Sequence, residues 1–155
     1  MSLDFDLFVL ENFGSGYEYI GGGSSSIVYS NFKEVLKIFI ENEKYEYELQ
    51  IFKLLESHHH ILNFPRYYSS LEFSELKIYV ICMEYTGKTV SDYYGIDCDD
   101  KNFYSFEILS ENFKLQLIKI KKVLSNLNLY YGDFHADNFT IKNEILYLID
   151  LESLD

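Results

Sequence analysis

Apolar residues recur along this chain with two different periods. From residue 41 to 56 the positions Tyr45, Leu49, Phe52 and Leu55 repeat at helical spacing, and Glu56 closes the run on a charge. From Glu111 to Leu127 the apolar positions 113, 117, 120, 124 and 127 do the same, which predicts a second long helix. A period of two marks the strands. Tyr19 to Tyr29 reads as strand, Gly/Ser turn, strand, and Glu34-Val35-Leu36-Lys37-Ile38-Phe39-Ile40 is a β-branched run with one lysine inside it. Tyr67–Ser74 and Leu76–Met83 predict two antiparallel strands joined near Ser74-Glu75. Phe139–Ile149 predicts a hairpin turning at Asn143-Glu144. Residues 4–12 fit an extended lead-in or a short helix, 89–94 a short helix, and 95–106 a polar, irregular stretch. The expected class is α+β.

Composition narrows the function classes. At 155 residues, 48% of them apolar, the chain makes one compact unit or two small lobes sharing a cleft. A net charge of -12 disfavours nucleic acid and anionic membranes as partners. Arg66 is the only arginine, so bidentate recognition of phosphates or bases by arginine is nearly absent. Cys82 and Cys98 make no disulfide framework, which suits a reducing, cytoplasmic setting. No apolar run reaches the ~18 residues of a membrane span, and the acidic N-terminus lacks the features of a signal peptide. His58-His59-His60 invites a metal, but consecutive residues on a turn seldom converge on one ion.

The chemistry concentrates in Tyr130-Tyr131-Gly132-Asp133-Phe134-His135-Ala136-Asp137-Asn138, followed by Leu148-Ile149-Asp150. An Asp, an Asn five positions on and a later Asp supply what phosphoryl transfer needs. One carboxylate orients or deprotonates a hydroxyl, while an amide and a second carboxylate hold a metal. Asp133, Asn138 and Asp150 resemble the catalytic loop and metal-binding Asp of the protein-kinase-like fold. Four further parts follow in family order. Gly21, Gly23 and Val28 match the Gly-rich loop, with Ser26 in place of its third glycine. Val35 and Lys37 resemble the V-A-I-K strand, and Glu48 is the expected partner of Lys37, with Glu46 as the alternative register. Met83 falls at the gatekeeper position, and Glu84 to Thr86 would offer backbone groups to adenine.

The resemblance covers residues from about 15 to the end of the chain. It implies a two-lobe fold forming a single kinase-like domain over 1–155. An antiparallel five-stranded N-lobe would occupy about 1–85, a hinge about 84–88 and a minimal helical C-lobe about 89–155. It further implies ATP and Mg2+ as cofactors. Lys37 would hold the α/β-phosphates, Glu48 would hold Lys37, and Asn138 and Asp150 would bind metal.

The departures shape the expected substrate. Tyr131-Gly132 stand where many protein kinases have His-Arg, so no arginine precedes Asp133 to receive an activation-loop phosphate. Gly132-Asp133-Phe134-His135 and Asp150-Leu151-Glu152 look more like atypical and small-molecule kinases, the aminoglycoside and choline phosphotransferases among them. The sequence given stops five residues after Asp150, short of an activation segment and a substrate-docking lobe. That resembles minimal kinases of bacterial effectors and viruses, unless the sequence is a shortened piece of a longer chain. The expectation is a minimal Ser/Thr protein kinase with a protein substrate and an activating host protein. A pseudokinase-like binding module and a small-molecule kinase are the alternatives.

Overall fold

Five antiparallel strands make the larger sheet of the computed structural model, which describes residues 3–22, 25–57, 62–95, 107–130 and 136–151. The chain divides into two compact units, Met1–Gln50 with Arg66–Tyr85 and Ile51–Pro65 with Thr86–Asp155.

The first unit opens with helix α1, Phe5–Phe13, whose N-cap Asp4 accepts a hydrogen bond from the Leu7 N–H at 3.2 Å. The sheet comprises β1 (Glu18–Gly22), β2 (Ser26–Ser30), β3 (Glu34–Phe39), β4 (Tyr67–Phe73) and β5 (Ile78–Glu84), in the order β1-β2-β3-β5-β4. The β2–β3 turn is closed by its own side chains. Asn31 Oδ1 accepts from the N–H groups of Lys33 and Glu34, and Ser30 Oγ accepts from Phe32 N–H. Alternation along β3 and β5 sends Leu36, Ile38, Ile78, Val80 and Cys82 to one face, where Phe8 and Val9 of α1 cover them. Burial on α1 therefore decides between the two readings of residues 4–12 in favour of the helix. Tyr29, also on this face, donates its hydroxyl to Asp6 at 2.5 Å, and Tyr17 donates to Glu34.

Helix α2, Asn42–Ser57, follows β3. Its expected stripe of Tyr45, Leu49, Phe52 and Leu55 is buried. The β4–β5 turn takes in Leu76 and Lys77, which the alternating pattern had assigned to the strand. Lys77 has φ +54°, and the turn is closed by Leu76 N–H to Phe73 O and Lys77 N–H to Ser74 O.

The second unit carries a smaller antiparallel sheet, β6 (Lys88–Thr89), β7 (Phe139–Lys142) and β8 (Ile145–Leu148), with helices α3 (Val90–Tyr94) and α4 (Glu111–Asn126). Thr89 and Ser110 cap the two helices through their hydroxyls. Phe113, Leu117, Ile120 and Leu124 form the buried stripe of α4. The β7–β8 turn falls at Asn143-Glu144, both at positive φ, as a type I′ hairpin turn requires. Gln116 of α4 ties down β8: its Oε1 accepts from Leu146 N–H and its Nε2 donates to Glu144 O, each at 2.9 Å. Asn63 Nδ2 donates to Gln116 Oε1 and Leu146 O, and Asn63 O accepts from Leu148 N–H. These bonds draw 62–65 into the second unit, although chain order alone assigns the segment to the first. Among the described residues no helix is long and apolar enough to cross a membrane.

Candidate functional site

Register places most of the predicted strand residues of the first unit on one side of the sheet, while Glu84, opposite Glu34, falls on the other. Directly opposed residues share a face. Val28 lies opposite Lys37, Ser26 opposite Phe39, Val35 opposite Met83, and Lys37 opposite Ile81. Ser26, Val28, Val35, Lys37 and Met83 therefore share the face turned away from α1. Gly21 pairs with Val28 across a bulge in β1 that takes up Ile20. Gly23 lies outside the described residues.

Lys37 is buried at 7% relative exposure, although a lysine on an alternating strand defaults to solvent. The start of α2 explains this. Tyr45 packs edge-on to Phe39 and stacks on Tyr79, both on the Lys37 face, and one turn further Glu48 is fully buried. Glu48 Oε1 accepts from Lys37 Nζ at 2.9 Å, and the ammonium lies 5.6 Å from the Phe39 ring centroid. Glu46, the alternative partner, is half-buried. The structure thus brings Lys37 and Glu48 together, with apolar and aromatic walls around them. Burial raises the Tyr45 hydroxyl above its ordinary pKa, so it remains a neutral phenol. Cys82, on the opposite face, is pushed up mainly by burial and is no thiolate nucleophile.

Met83 is buried as the penultimate residue of β5, and Glu84 is the last residue of that strand rather than the start of a loop. Glu84 N–H is committed to Arg66 O at 2.9 Å and Tyr85 N–H to Lys33 O at 3.3 Å. Thr86, buried in the second unit, shares a 2.7 Å hydroxyl hydrogen bond with Thr140 of β7. The expected hinge over 84–88 is interrupted at Lys88, which pairs with Ile141. Gly87 permits that pairing. It has φ +94°, and a Cβ there would sit 2.0 Å from Ile141 O.

In the second unit, Asn138 ends a short 3₁₀ turn, Ala136–Asn138, and its carbonyl accepts from Ile149 N–H at 2.9 Å. Because Phe139 pairs with Leu148, that bond brings Asn138 and the segment carrying Asp150 to the same end of the hairpin. Both residues are half-buried, and both offer the hard oxygen donors that suit Mg2+. Among the described residues no three His, Cys, Asp or Glu side chains gather as metal ligands. Asp133, His135, Glu152 and His58–His60 lie outside the described residues.

One contact was not legible in the motif. Ser91 Oγ, at the start of α3, donates to Asp137 Oδ1 at 2.5 Å and is itself 3.2 Å from Thr89 Oγ1. It anchors the turn that carries Asn138. No protein-family model matches the chain, and no curated protein matches it.

Proposed function

We propose that this chain is a protein-kinase-like phosphotransferase that uses ATP and Mg2+, with protein Ser/Thr hydroxyls as acceptor. The observation that carries the reading is Lys37, buried against Glu48 on a sheet face shared with Ser26, Val28, Val35 and Met83. A buried ion pair is a poor source of stability, since desolvation offsets much of its attraction. A cation fixed among apolar residues suits a ligand with a flat apolar end and an anionic tail. Val28, Val35 and Met83 would flank adenine, with the Glu84 carbonyl and Thr86 N–H hydrogen-bonding its edge. Gly21, Gly23 and Ser26 would lie over the phosphates.

In this reading Lys37 binds the α/β-phosphates and Glu48 fixes its ammonium, keeping the chain of charges alternating. Asn138 and Asp150 would hold the metal, which when bound neutralises charge on the phosphates. Asp133 accepts the proton of the acceptor hydroxyl as its oxygen bonds to the γ-phosphorus and ADP leaves. Ser91, through Asp137, would keep Asn138 in place.

The test is transfer of labelled γ-phosphate from Mg-ATP, with the protein alone and with a cell lysate, beside Asp133→Ala and Lys37→Ala. Label on protein with the wild type and loss of at least about 100-fold in both variants is expected. Full activity in both variants would overturn the assignment of the site. ATP binding with no transfer in either condition would replace catalysis with a binding role, and transfer to small hydroxyl compounds alone would replace the protein acceptor.

A further inference from the structure

Outside the face just described, two helices expose apolar residues in a matching arrangement. On α1, Leu7 and Leu10 are 49% and 53% exposed. They lie at i and i+3, and acids flank them at i−1 and i+4, Asp6 and Glu11. On α4, Leu115 and Ile118 are 66% and 63% exposed. They too lie at i and i+3, and lysines flank them at the same two offsets, Lys114 and Lys119. The two helices therefore display the same apolar pair, bordered by opposite charges at equivalent positions. The first 32 residues contain no Lys or Arg at all. Asp6 is exposed while accepting from Tyr29, and Lys114 has a surface ion pair with Glu111 at 3.7 Å that exchanges readily.

We infer that the outer face of α1 in one copy docks on the outer face of α4 in a second copy. Charge selects this pairing over the symmetric ones. Joining α1 to α1 sets acids against acids, and α4 to α4 sets lysines against lysines. Pairing unlike faces is heterologous, so assembly proceeds head to tail, into rings or open chains. Two apolar side chains per face bury less than the ~1,200 Å² of a stable complex. Association is therefore weak, with Kd on the order of hundreds of micromolar. The inference is independent of the proposed phosphotransfer.

Sedimentation equilibrium of the full chain tests it, from about 10 μM to 1 mM at an ionic strength of roughly 0.15 M. Mass is expected to rise with concentration. Leu7→Gln with Leu10→Gln, and separately Leu115→Gln with Ile118→Gln, should each remain monomeric, since each loses one of the two faces. A one-to-one mixture of the two variants keeps one intact α1 face and one intact α4 face. It should form dimers and stop there. A wild-type mass that stays monomeric throughout, variants that associate as the wild type does, or a mixture that behaves as the sum of its parts would each overturn the inference. Where circular dichroism shows a variant unfolded, Glu11→Lys and Lys119→Glu replace it. Each alone should weaken association several-fold, and mixing the two should restore it.

Discussion

Removing the carboxylate of Glu48 is the most informative single change. Glu48 is fully buried and Lys37 nearly so, with 2.9 Å between Nζ and Oε1. At an effective dielectric of about 20 the Coulomb energy at that distance is about 6 kcal/mol, set against a desolvation cost of several kcal/mol for each ion. Glu48→Ala discards the attraction while leaving the Lys37 ammonium in its buried place. It is expected to lower the unfolding free energy by about 3–5 kcal/mol. With a urea slope of about 2 kcal/mol/M, the midpoint should fall by about 1.5–2.5 M. The double variant Lys37→Met with Glu48→Leu removes both charges and fills the space with apolar atoms, so its stability should return to within about 1 kcal/mol of wild type. Urea titration followed by far- and near-ultraviolet circular dichroism reads both, the Tyr45–Tyr79 stack reporting on this face. A Glu48→Ala loss below about 1 kcal/mol, or a double variant as unstable as the single, would refute the account of a desolvated pair. Should the double variant fold normally but lose its thermal shift with Mg-ATP, the pair serves a ligand rather than the fold.

Three further outcomes follow from local geometry. Gly87→Ala would force a Cβ to within 2.0 Å of Ile141 O at φ +94° and should cost at least about 2–3 kcal/mol, read as faster amide exchange in β6 and β7. Glu144→Gly relieves a positive φ of 64° in the β7–β8 turn. It should raise stability by about 0.5–1 kcal/mol, and a lower melting temperature would contradict it. Tyr17 and Tyr29 hold their phenol protons more tightly in the folded chain, first through burial and then through hydrogen bonds to Glu34 and Asp6. Unfolding in alkali therefore releases protons, so this contribution is intact below the ordinary tyrosine value of about 10 and is lost as the pH climbs above it. Urea midpoints from about pH 8 to 11 should fall above 10, and less steeply in Tyr17→Phe with Tyr29→Phe; equal slopes would count against those two residues.

The long elements were legible because burial on a single face leaves a period in the sequence. Tyr45, Leu49, Phe52 and Leu55 show it in α2, and Phe113, Leu117, Ile120 and Leu124 in α4. β6 leaves no period in two residues. Lys88-Thr89 becomes a strand through pairing with Ile141 and Thr140, which lie some fifty positions away. Helix α1 was ambiguous because Leu7 and Leu10 are as apolar as Phe8 and Val9 yet lie outside, blurring both periods. Within the candidate site, Glu48 could be set against Lys37 because it borders the α2 stripe one turn past Tyr45. The burial of Lys37 could not be read from β3, because it depends on the aromatic residues of α2 and β5. The tie from Ser91 to Asp137 spans 46 positions and carries no spacing rule.

The sheet order has a consequence for synthesis. β3, which carries Lys37, is flanked by β2 and β5, while residues 51–65 of the second unit lie in the chain between β3 and β5. As the polypeptide leaves the ribosome at about 5–20 residues per second, β3 therefore waits a few seconds with one edge bare. An open edge is a template for unwanted pairing. With Leu36, Ile38 and Phe39 on that strand, the nascent chain is open to aggregation in this interval. Neither unit is one continuous stretch of sequence, so no single cut yields either alone, and folding yield should depend on how fast the ribosome reaches Glu84.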